Sequence, residues 1–474
     1  RVIVVGAGIA GLAAAYRCVR EAEARSLPLA LRVLDAARRP GGVIATWERD
    51  GFLLEAGPDC FLTEKPAGLR LCRELGLEAE LIGTNPAQRR SFIAWRGELH
   101  PIPDGFQLLA PANLPALLRS PLLTWRGKLR AALEPFAFPP PEEDESVGDF
   151  VRRRLGREVL ERLAQPLVAG IYGADPDRLS LRATLPRFHR MEREHGSLLR
   201  ALARSRRHAG VSGARYGLFA SFRRGMQTLV DALAARLPAD ALRLETRVRA
   251  LEWHSASAVW HVVTESGREE GDAVLLALPG PVTAQLLAPV APAIGRLVAS
   301  VPYASAATIQ LAYRREAIPH PLAGFGFVVP AIERRTVLGC TFSHVKFPGR
   351  APEGYALLRG FVGDGADAHD DDRLLAAVAA DLAHYLGIAS PPLWAEIVRH
   401  PRAMPQYPVG HLARMEALHR ELAVWPTLAL AGNAYAGVGI PDCIESGERA
   451  AERLVAALAR TDRTSRSAAL PHAI

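Results

Sequence analysis

The chain has 474 residues, 49% of them hydrophobic, enough for two or three domains around sizeable cores, which excludes a disordered or small disulfide-stapled protein. Its formal charge of +8 comes almost wholly from arginine, lysine standing only at Lys65, Lys128 and Lys346; without zinc-finger spacing, an RNP-like motif or interleaved aromatic and basic residues, no nucleic acid partner is expected. Cys18, Cys60, Cys72, Cys340 and Cys443 are odd in number and never spaced C-x-x-C, which argues against a disulfide framework and against a metal or iron–sulfur site, and points to a reducing compartment.

Val2-Ile3-Val4-Val5 is a β-branched run of the kind that fills a buried parallel strand; no signal peptide is expected before it, with a trimmed start left open by the absence of an initiating Met. It runs into Gly6-Ala7-Gly8-Ile9-Ala10-Gly11 and then the helix-forming Leu12 to Tyr16. In a dinucleotide fingerprint the three glycines do different things. Gly6 turns the chain, Gly8 admits a pyrophosphate to the backbone, and Gly11 lets helix and strand pack closely. The helix N-terminus, with Ile9 and Ala10 in its first turn, faces the phosphates with free N–H groups. A second strand, Leu29 to Leu34, ends at Asp35 and Ala36, where an acid suits ribose hydroxyls and disfavours a 2'-phosphate. An ordinary glycine turn would carry the same six letters, so the flanking strand and helix give the motif its weight.

Arg38-Arg39-Pro40-Gly41-Gly42, Thr46 and Gly51 to Pro58 resemble the second signature of amine-oxidase-like flavoproteins, in which a glycine pair lies against pyrophosphate and flavin. That resemblance selects FAD over NAD. Phe61 to Leu81 then reads as a helix, and Ser91 to Pro103 as a hairpin through Arg96-Gly97. From Pro103 to Arg207 the pattern is proline-punctuated helices, with an acidic loop at Pro139 to Glu145. The seven arginines between Arg187 and Arg207, beside Phe188, Met191, Leu198, Leu199 and Leu202, read either as a basic membrane-lying face or as the solvated side of helices packed on their own domain.

Tyr216 to Met226 leads into a helix, followed by strands at Arg243 to Leu251, Val259 to Thr264 and Ala273 to Leu278. In two-domain flavoproteins the chain re-enters the dinucleotide fold in this way, and Glu245 to Val248 resembles the strand whose backbone at Val248 clasps the adenine. Between Pro302 and Pro408, strands at Thr308 to Tyr313, Phe325 to Val329, Val337 to Phe342 and Tyr355 to Val362 precede a helix at Asp371 to Leu386. The end is a strand (Leu428 to Ala431), a glycine-rich loop (Gly432 to Ile440) and a helix (Asp442 to Arg460), whose N-terminus suits the electron-rich edge of a reduced flavin. The runs Ala273 to Ile294, without charge, and Val424 to Ile444, with Asp442 as its one charge, are broken by Pro and Gly and read as buried strands and loops.

Over nearly its full length the chain resembles the protoporphyrinogen oxidase family. The resemblance rests on Leu54 to Phe61, Gly170 to Ser180, Met191 to His195, Gly324 to Pro330, Met404 to His411 and Gly432 to Cys443. It implies an α/β and α+β protein: a Rossmann-type FAD domain like that of p-hydroxybenzoate hydroxylase (1–85, 216–298 and 415–474), an α+β substrate domain (86–105 and 299–414), and a helical membrane-associating insertion (106–215). The implied reaction removes six electrons from protoporphyrinogen IX in three hydride transfers, with O2 as acceptor and H2O2 as product; coproporphyrinogen III is the alternative substrate. Cytoplasmic location against the inner face of the membrane is implied, and a homodimer and hand-off to the next haem-pathway enzyme are left open.

Such chemistry asks for no catalytic side chain. It needs a large apolar site against the flavin and partners for the propionates. Phe325, Gly326 and Val328 fit as wall, open position and branched contact, with Phe361 as a further wall and Gly170 from the family motif, although all would serve as ordinary core residues. Counting back from the R-G hairpin puts Ser91 where the family often has an arginine, so Arg90 is one residue out of place. His400 stands where some relatives have a Trp near the flavin. Gly41, Gly42, Gly57, Pro58, Asp59, Cys60, Val438, Gly439 and Ile440 complete the expected cofactor set. FAD is expected to be noncovalent, since no Cys or His lies in a recognised attachment motif. A flavin amine oxidase is disfavoured because Tyr303 to Leu311 lacks that group's lysine; a carotenoid desaturase and a non-catalytic FAD-binding protein are the remaining alternatives.

Overall fold

Val2–Val5 is the central strand of a five-stranded parallel sheet, ordered Leu242–Arg243, Leu31–Leu34, Val2–Val5, Ala273–Leu276, Leu428–Leu430. The computed structural model describes residues 1–139, 141–208 and 217–468, with backbone alone described at 205–208, 368 and 461–468. Every residue of Val2–Val5 and Ala273–Leu276 is buried, because side chains on both faces of a covered parallel sheet meet core. Val2 and Val4 join the apolar cluster beneath helix Ile9–Ala24; Ile3 and Val5 join the cluster beneath helices Gly280–Leu287 and Pro292–Ala299. The helix Ile440–Ala468 lies against Ile9–Ala24 where only glycine fits: a Cβ on Gly447 would stand 2.2 Å from the Ala10 carbonyl oxygen.

A second sheet has seven strands, ordered Trp394–Pro405, Tyr303–Arg314, Tyr355–Val362, Gly339–Phe342, Gly326–Val328, Phe92–Trp95, Glu98–Pro101. Pairing is antiparallel except between Gly326–Val328 and Phe92–Trp95. Helix Asp371–Leu386 packs Leu374, Val378 and Leu382 into the core on one face. Towards the first sheet, a ribbon of Thr46–Arg49 and Phe52–Glu55 docks Phe52 and Leu54 on Ala312 and Leu357, with Phe52 edge-on to Trp394 at 5.1 Å. A third core lies among the helices from Leu114–Arg119 to Leu198–His208, where Phe150, Leu163, Phe188 and Leu202 meet. A buried ion pair sits in this core. Glu134 accepts from Arg154 Nε at 2.7 Å, Ser197 Oγ at 2.5 Å and the Leu198 N–H at 2.9 Å, so burial leaves no oxygen unpaired.

Several expectations are corrected. Phe61 to Leu81 is not one helix: Phe61–Leu62 and Leu81–Gly83 pair with Phe219–Phe222, and only Pro66–Glu74 is α-helical, started by the fixed φ of Pro66. Arg243 to Leu251 is split between sheets, Leu242–Arg243 beside Leu31–Leu34 and Val248–His254 in a three-stranded meander. Beyond Leu276 the uncharged stretch is helical from Gly280. In the arginine-dense section, Phe188, Leu198 and Leu202 are buried in the helical core and Met191 packs against it, so this apolar face is already covered. The side chains of Arg206 and Arg207, with Tyr216 and Pro140, lie outside the described residues.

Candidate functional site

The two glycine signatures meet. Gly6, at φ +105°, turns the chain out of the first strand, and its N–H reaches the Leu34 carbonyl at 2.8 Å. A Cβ on Gly11 would stand 1.9 Å from the Gly6 oxygen, so this glycine is demanded by packing within the protein. Gly8 differs: a Cβ there meets no protein atom within 4 Å. The loop of the second signature is bound to the first, with the Gly41 N–H on the Ala7 carbonyl at 2.8 Å and a Cβ on Gly42 only 3.4 Å from Gly8 Cα. Arg39 braces that loop by donating to the carbonyls of Pro40, Ile44 and Gly42. Helix Ile9–Ala24 has no side-chain N-cap and no acid in its first turn, which leaves its amides and the positive end of its dipole for an anion. These features fit the diphosphate of FAD.

Asp35 is fixed at the mouth of this cradle, its carboxylate accepting from the Ala7 N–H at 2.6 Å and the Ala37 N–H at 2.8 Å. The Asp35 carbonyl takes the Thr246 N–H at 2.7 Å, so Ala36 and the start of the Val248 strand share one corner. Residues 245–247 form a connection there, not the expected strand. At the far side, Val438 and Gly439 end the glycine-rich loop, and Ile440 is the first residue of the last helix. Tyr407 clamps that loop: its hydroxyl donates to the Asn433 carbonyl and accepts the Gly437 N–H at 2.8 Å, while its ring stacks on His411 at 4.1 Å. Asp442 accepts the Gly439 N–H at 3.1 Å and pairs with Lys65 at 2.6 Å.

Between cradle and large sheet runs the segment Glu55-Ala56-Gly57-Pro58. Its carbonyls are gripped from three strands: Gln310 Nε2 donates to Glu55 at 2.8 Å, Thr308 Oγ1 to Ala56 at 2.9 Å, His400 Nε2 lies 2.9 Å from Ala56, and Arg359 donates to Ala56 and Gly57. Burial lowers the pKa of His400, so the neutral ring holds its proton on Nε2 toward that carbonyl. Gly57 in turn is packed on the second signature, a Cβ there standing 2.2 Å from the Val43 oxygen. Glu55, itself 4% exposed, is pushed up to about 7 by burial while accepting from Thr46 Oγ1 at 2.7 Å and the Met226 N–H at 2.9 Å.

Across the sheet, one row of paired residues runs Thr308, Phe361, Gly339, Val328. Directly opposed residues point to one face, so the row that begins on the Ala56 carbonyl continues through the Phe361 ring and the side-chain-free Gly339 to Val328. A Cβ on Gly170 would lie 3.4 Å from Val328 Cγ1, which brings helix Gln165–Tyr172 over the end of the row. Arg359 Cζ is 5.0 Å from the Phe361 ring centre. Gly326 needs a different account from the expected one: with φ +140° and a Cβ that would stand 2.0 Å from the Cys340 oxygen, the neighbouring strand explains it without a ligand. Phe325 is half-buried just before that strand, and its N–H donates to the Arg90 carbonyl at 2.7 Å, so the exposed Arg90 is anchored beside it.

Asp59 and Cys60, expected at the cofactor, both turn to Lys346, whose Nζ lies 2.8 and 3.0 Å from the Asp59 oxygens and 3.4 Å from Cys60 Sγ. Asp59 is held well below the ordinary carboxylate range by Lys346 and Arg359 against the opposing effect of burial, while burial pushes the Cys60 thiol up to about 12. Lys346, Thr308, Arg359 and Gly339 join the site through the fold and are not among the residues expected there from sequence, while Arg39 and Tyr407 stand within motifs read from sequence without a role of their own. A lysine among only three in the chain, and glycine inside the 339–342 strand, are the signals that point to two of them.

The sequence profile described as Flavin containing amine oxidoreductase matches residues 9–455. The chain is 34% identical over 459 residues to coproporphyrinogen III oxidase of Bacillus subtilis (strain 168), covering 95% of this chain and 96% of that protein. It is 36% identical to coproporphyrinogen III oxidase of Propionibacterium freudenreichii subsp. freudenreichii, covering 97% and 92%. A crystal structure of a provisionally assigned protoporphyrinogen oxidase from Exiguobacterium sp. 255-15 superposes with a TM-score of 0.85 at 33% identity, covering 96% of this chain and 98% of that one.

Two outcomes are expected. Gly8→Val should fold with near-parental thermal stability yet purify without flavin, because its side chain enters space that no protein atom fills; full flavin content after acid release would contradict this cradle. Asp59→Asn should cost about 3–5 kcal/mol in urea unfolding by stranding the Lys346 charge, with Lys346→Met in the same chain restoring most of it. Because native Asp59 has the depressed pKa, its stabilising contribution is complete above its ordinary 3.8 and is lost as the pH falls below that value.

Proposed function

Because the chain belongs to the Flavin containing amine oxidoreductase family and, within it, to the porphyrinogen oxidases, with FAD as cofactor, we propose that it oxidises coproporphyrinogen III to coproporphyrin III. Six electrons and six protons leave the macrocycle in three two-electron steps, and three O2 become three H2O2. FAD, when bound noncovalently, supplies the acceptor for hydride from the carbon bridges. The observation that carries this reading is the row Thr308, Phe361, Gly339, Val328, which begins on the segment packed against the glycine cradle and ends at Gly170.

Phe361 and Val328 offer apolar contacts along the row, and Phe325 and Gly170 border that shelf; Gly339 between them is buried, and a Cβ there would stand 2.6 Å from the Phe327 carbonyl oxygen, so the neighbouring strand accounts for its missing side chain. Such a surface excludes water and orients a large apolar ligand without presenting an acid or base. Arg90, exposed beside Phe325, is assigned to a propionate. Gly6 to Gly11, Asp35, Ala36, Gly41 and Gly42 are assigned to the diphosphate and ribose, Val248 to the adenine, and Gly57, Pro58 and Val438 to Ile440 to the flavin end. Coproporphyrinogen III is placed ahead of the protoporphyrinogen IX expected from sequence on the names of the two curated bacterial relatives; the name given to the Exiguobacterium structure supports the second reading.

Among the described residues no helix is long and apolar enough to cross a membrane. A peripheral site is supported at a place other than the arginine-dense section. Trp125 and Leu129 on one side of helix Trp125–Ala132 and Leu133, which caps its C-terminus, recur every fourth residue, all exposed, followed by Phe136 and Phe138 at 80% and 81% exposure. Arg119, Arg126 and Lys128 flank them, the composition that binds an anionic lipid surface.

Anaerobic mixing with each porphyrinogen separately tests the reaction: coproporphyrinogen III is expected to bleach the flavin absorbance faster than protoporphyrinogen IX. The reverse order would overturn the substrate assignment, and no bleaching by either would overturn the reaction. For the surface, the protein should float with vesicles containing phosphatidylglycerol and lose this in a Leu129→Glu/Phe136→Glu variant of unchanged flavin content; equal flotation would remove the assignment.

A further inference from the structure

The meander of Val248–His254, Val259–Thr264 and Gly267–Gly271 carries a cluster of polar side chains on the face opposite its core. Leu251, Trp260 and Val262 are buried in the core beneath the first sheet, with Trp253 and Trp260 packed on each other and on Trp425. Alternation then sends Glu252, His254, His261 and Glu270 outward. The register tightens the grouping, because His261 pairs directly with Glu252 on one side and with Glu270 on the other, while His254 follows Glu252 by two residues on the same face.

We infer that Glu252, His254 and His261 form a binding site for a borderline divalent transition metal, Zn2+ being the representative ion. Each of the three presents a donor atom within 4.8 Å of the other two. Glu252 Oε2 is 3.7 Å from His254 Nε2 and 3.7 Å from His261 Nδ1. Tetrahedral zinc with bonds of about 2.0–2.1 Å sets neighbouring donors roughly 3.4 Å apart, so the two Glu252 separations need to close by only a few tenths of an ångström, while the two imidazoles, whose ring centres lie 4.0 Å apart at 42°, turn their nitrogens toward the shared ion. Two imidazoles and one carboxylate are a donor set that suits zinc and leaves a fourth position for water.

The second nitrogen of His261 strengthens the assignment. His261 Nδ1 is buried and has no hydrogen-bond partner among the described residues, although its neighbours are polar. His261 Nε2 lies 3.5 Å from Glu270 Oε1. A proton on Nε2 directed at that carboxylate leaves the Nδ1 lone pair aimed at Glu252, the arrangement in which an outer carboxylate fixes the tautomer of a metal-binding histidine. Arg268 Nη2 holds Glu252 Oε2 at 3.1 Å, and Arg1 Nη1 holds Glu270 Oε2 at 3.2 Å. The two guanidiniums keep the carboxylates in place and also temper affinity for a cation. A metal here is a clip between two strands of the sheet that opens at Val248.

Isothermal titration of the flavin-loaded protein with ZnCl2 tests this. About one equivalent should bind and raise the thermal midpoint, and a His254→Ala/His261→Ala variant, with the parental flavin content and the parental midpoint in chelator, should lose both effects. Glu270→Gln should weaken binding about tenfold or more by releasing the Nε2 proton's partner. No binding by the parent, or equal binding by the double-histidine variant, would overturn the inference; the second result would send the ion elsewhere, for instance to a cysteine. None of these readouts depends on the porphyrinogen reaction.

Discussion

Three consecutive carbonyls, those of Glu55, Ala56 and Gly57, hold the molecule's two largest sheets in one geometry. Their donors come from three adjacent strands of the large sheet, at Thr308, Gln310, Arg359 and His400. Buried peptide oxygens must be paired, and here the partners belong to another part of the chain. Beyond Gly57, contact with the Val43 oxygen passes the constraint to the second glycine loop, and from there to Gly8. The cradle and the apolar row on the sheet therefore keep a fixed separation, with one short segment as spacer.

The arginine bias acquires a structural meaning from this seam. Arg359 pairs with two carbonyls and lies over Phe361; Arg350, 2% exposed, donates to the carbonyls of Phe222 and Arg223 and to Ser221; Arg39 binds three carbonyls of its own loop; Arg154 neutralises the buried Glu134. A planar guanidinium with several fixed donors can satisfy more than one peptide oxygen at once, which an ammonium does less well. Part of the positive balance is thus internal scaffolding, and net charge alone says little about a partner.

What can be read from sequence is local. Gly6 to Gly11, the Arg96-Gly97 hairpin and helix Asp371–Leu386 announce themselves through neighbouring residues, and they stand where expected. Trp394–Pro405 does not announce itself, because its two prolines and several charges do not look like a strand; it lies at the edge of the sheet, where a missing N–H can face away from the ladder. Phe361, Gly339 and Val328 are juxtaposed by the register of three strands, which no periodicity encodes. Lys346, Thr308 and His400 are single polar residues whose partners are two hundred or more positions away, and only the fold shows which oxygen each serves. In the arginine-dense helices the period is legible, yet the choice between lipid and protein as cover for the apolar face is not.

The contact between Gly447 and Ala10 has a consequence for how the chain is made. The parallel sheet takes strands from 2–34, 242–276 and 428–430, and the helix over the nucleotide turn is sealed by one that begins at Ile440. During vectorial synthesis Val2–Val5 meets one neighbour, Leu31–Leu34, at once but waits for Ala273–Leu276 on its other side, while the intervening helical core can close on its own local contacts. The glycine turn of the cradle is encoded some four hundred residues before the helix that seals it.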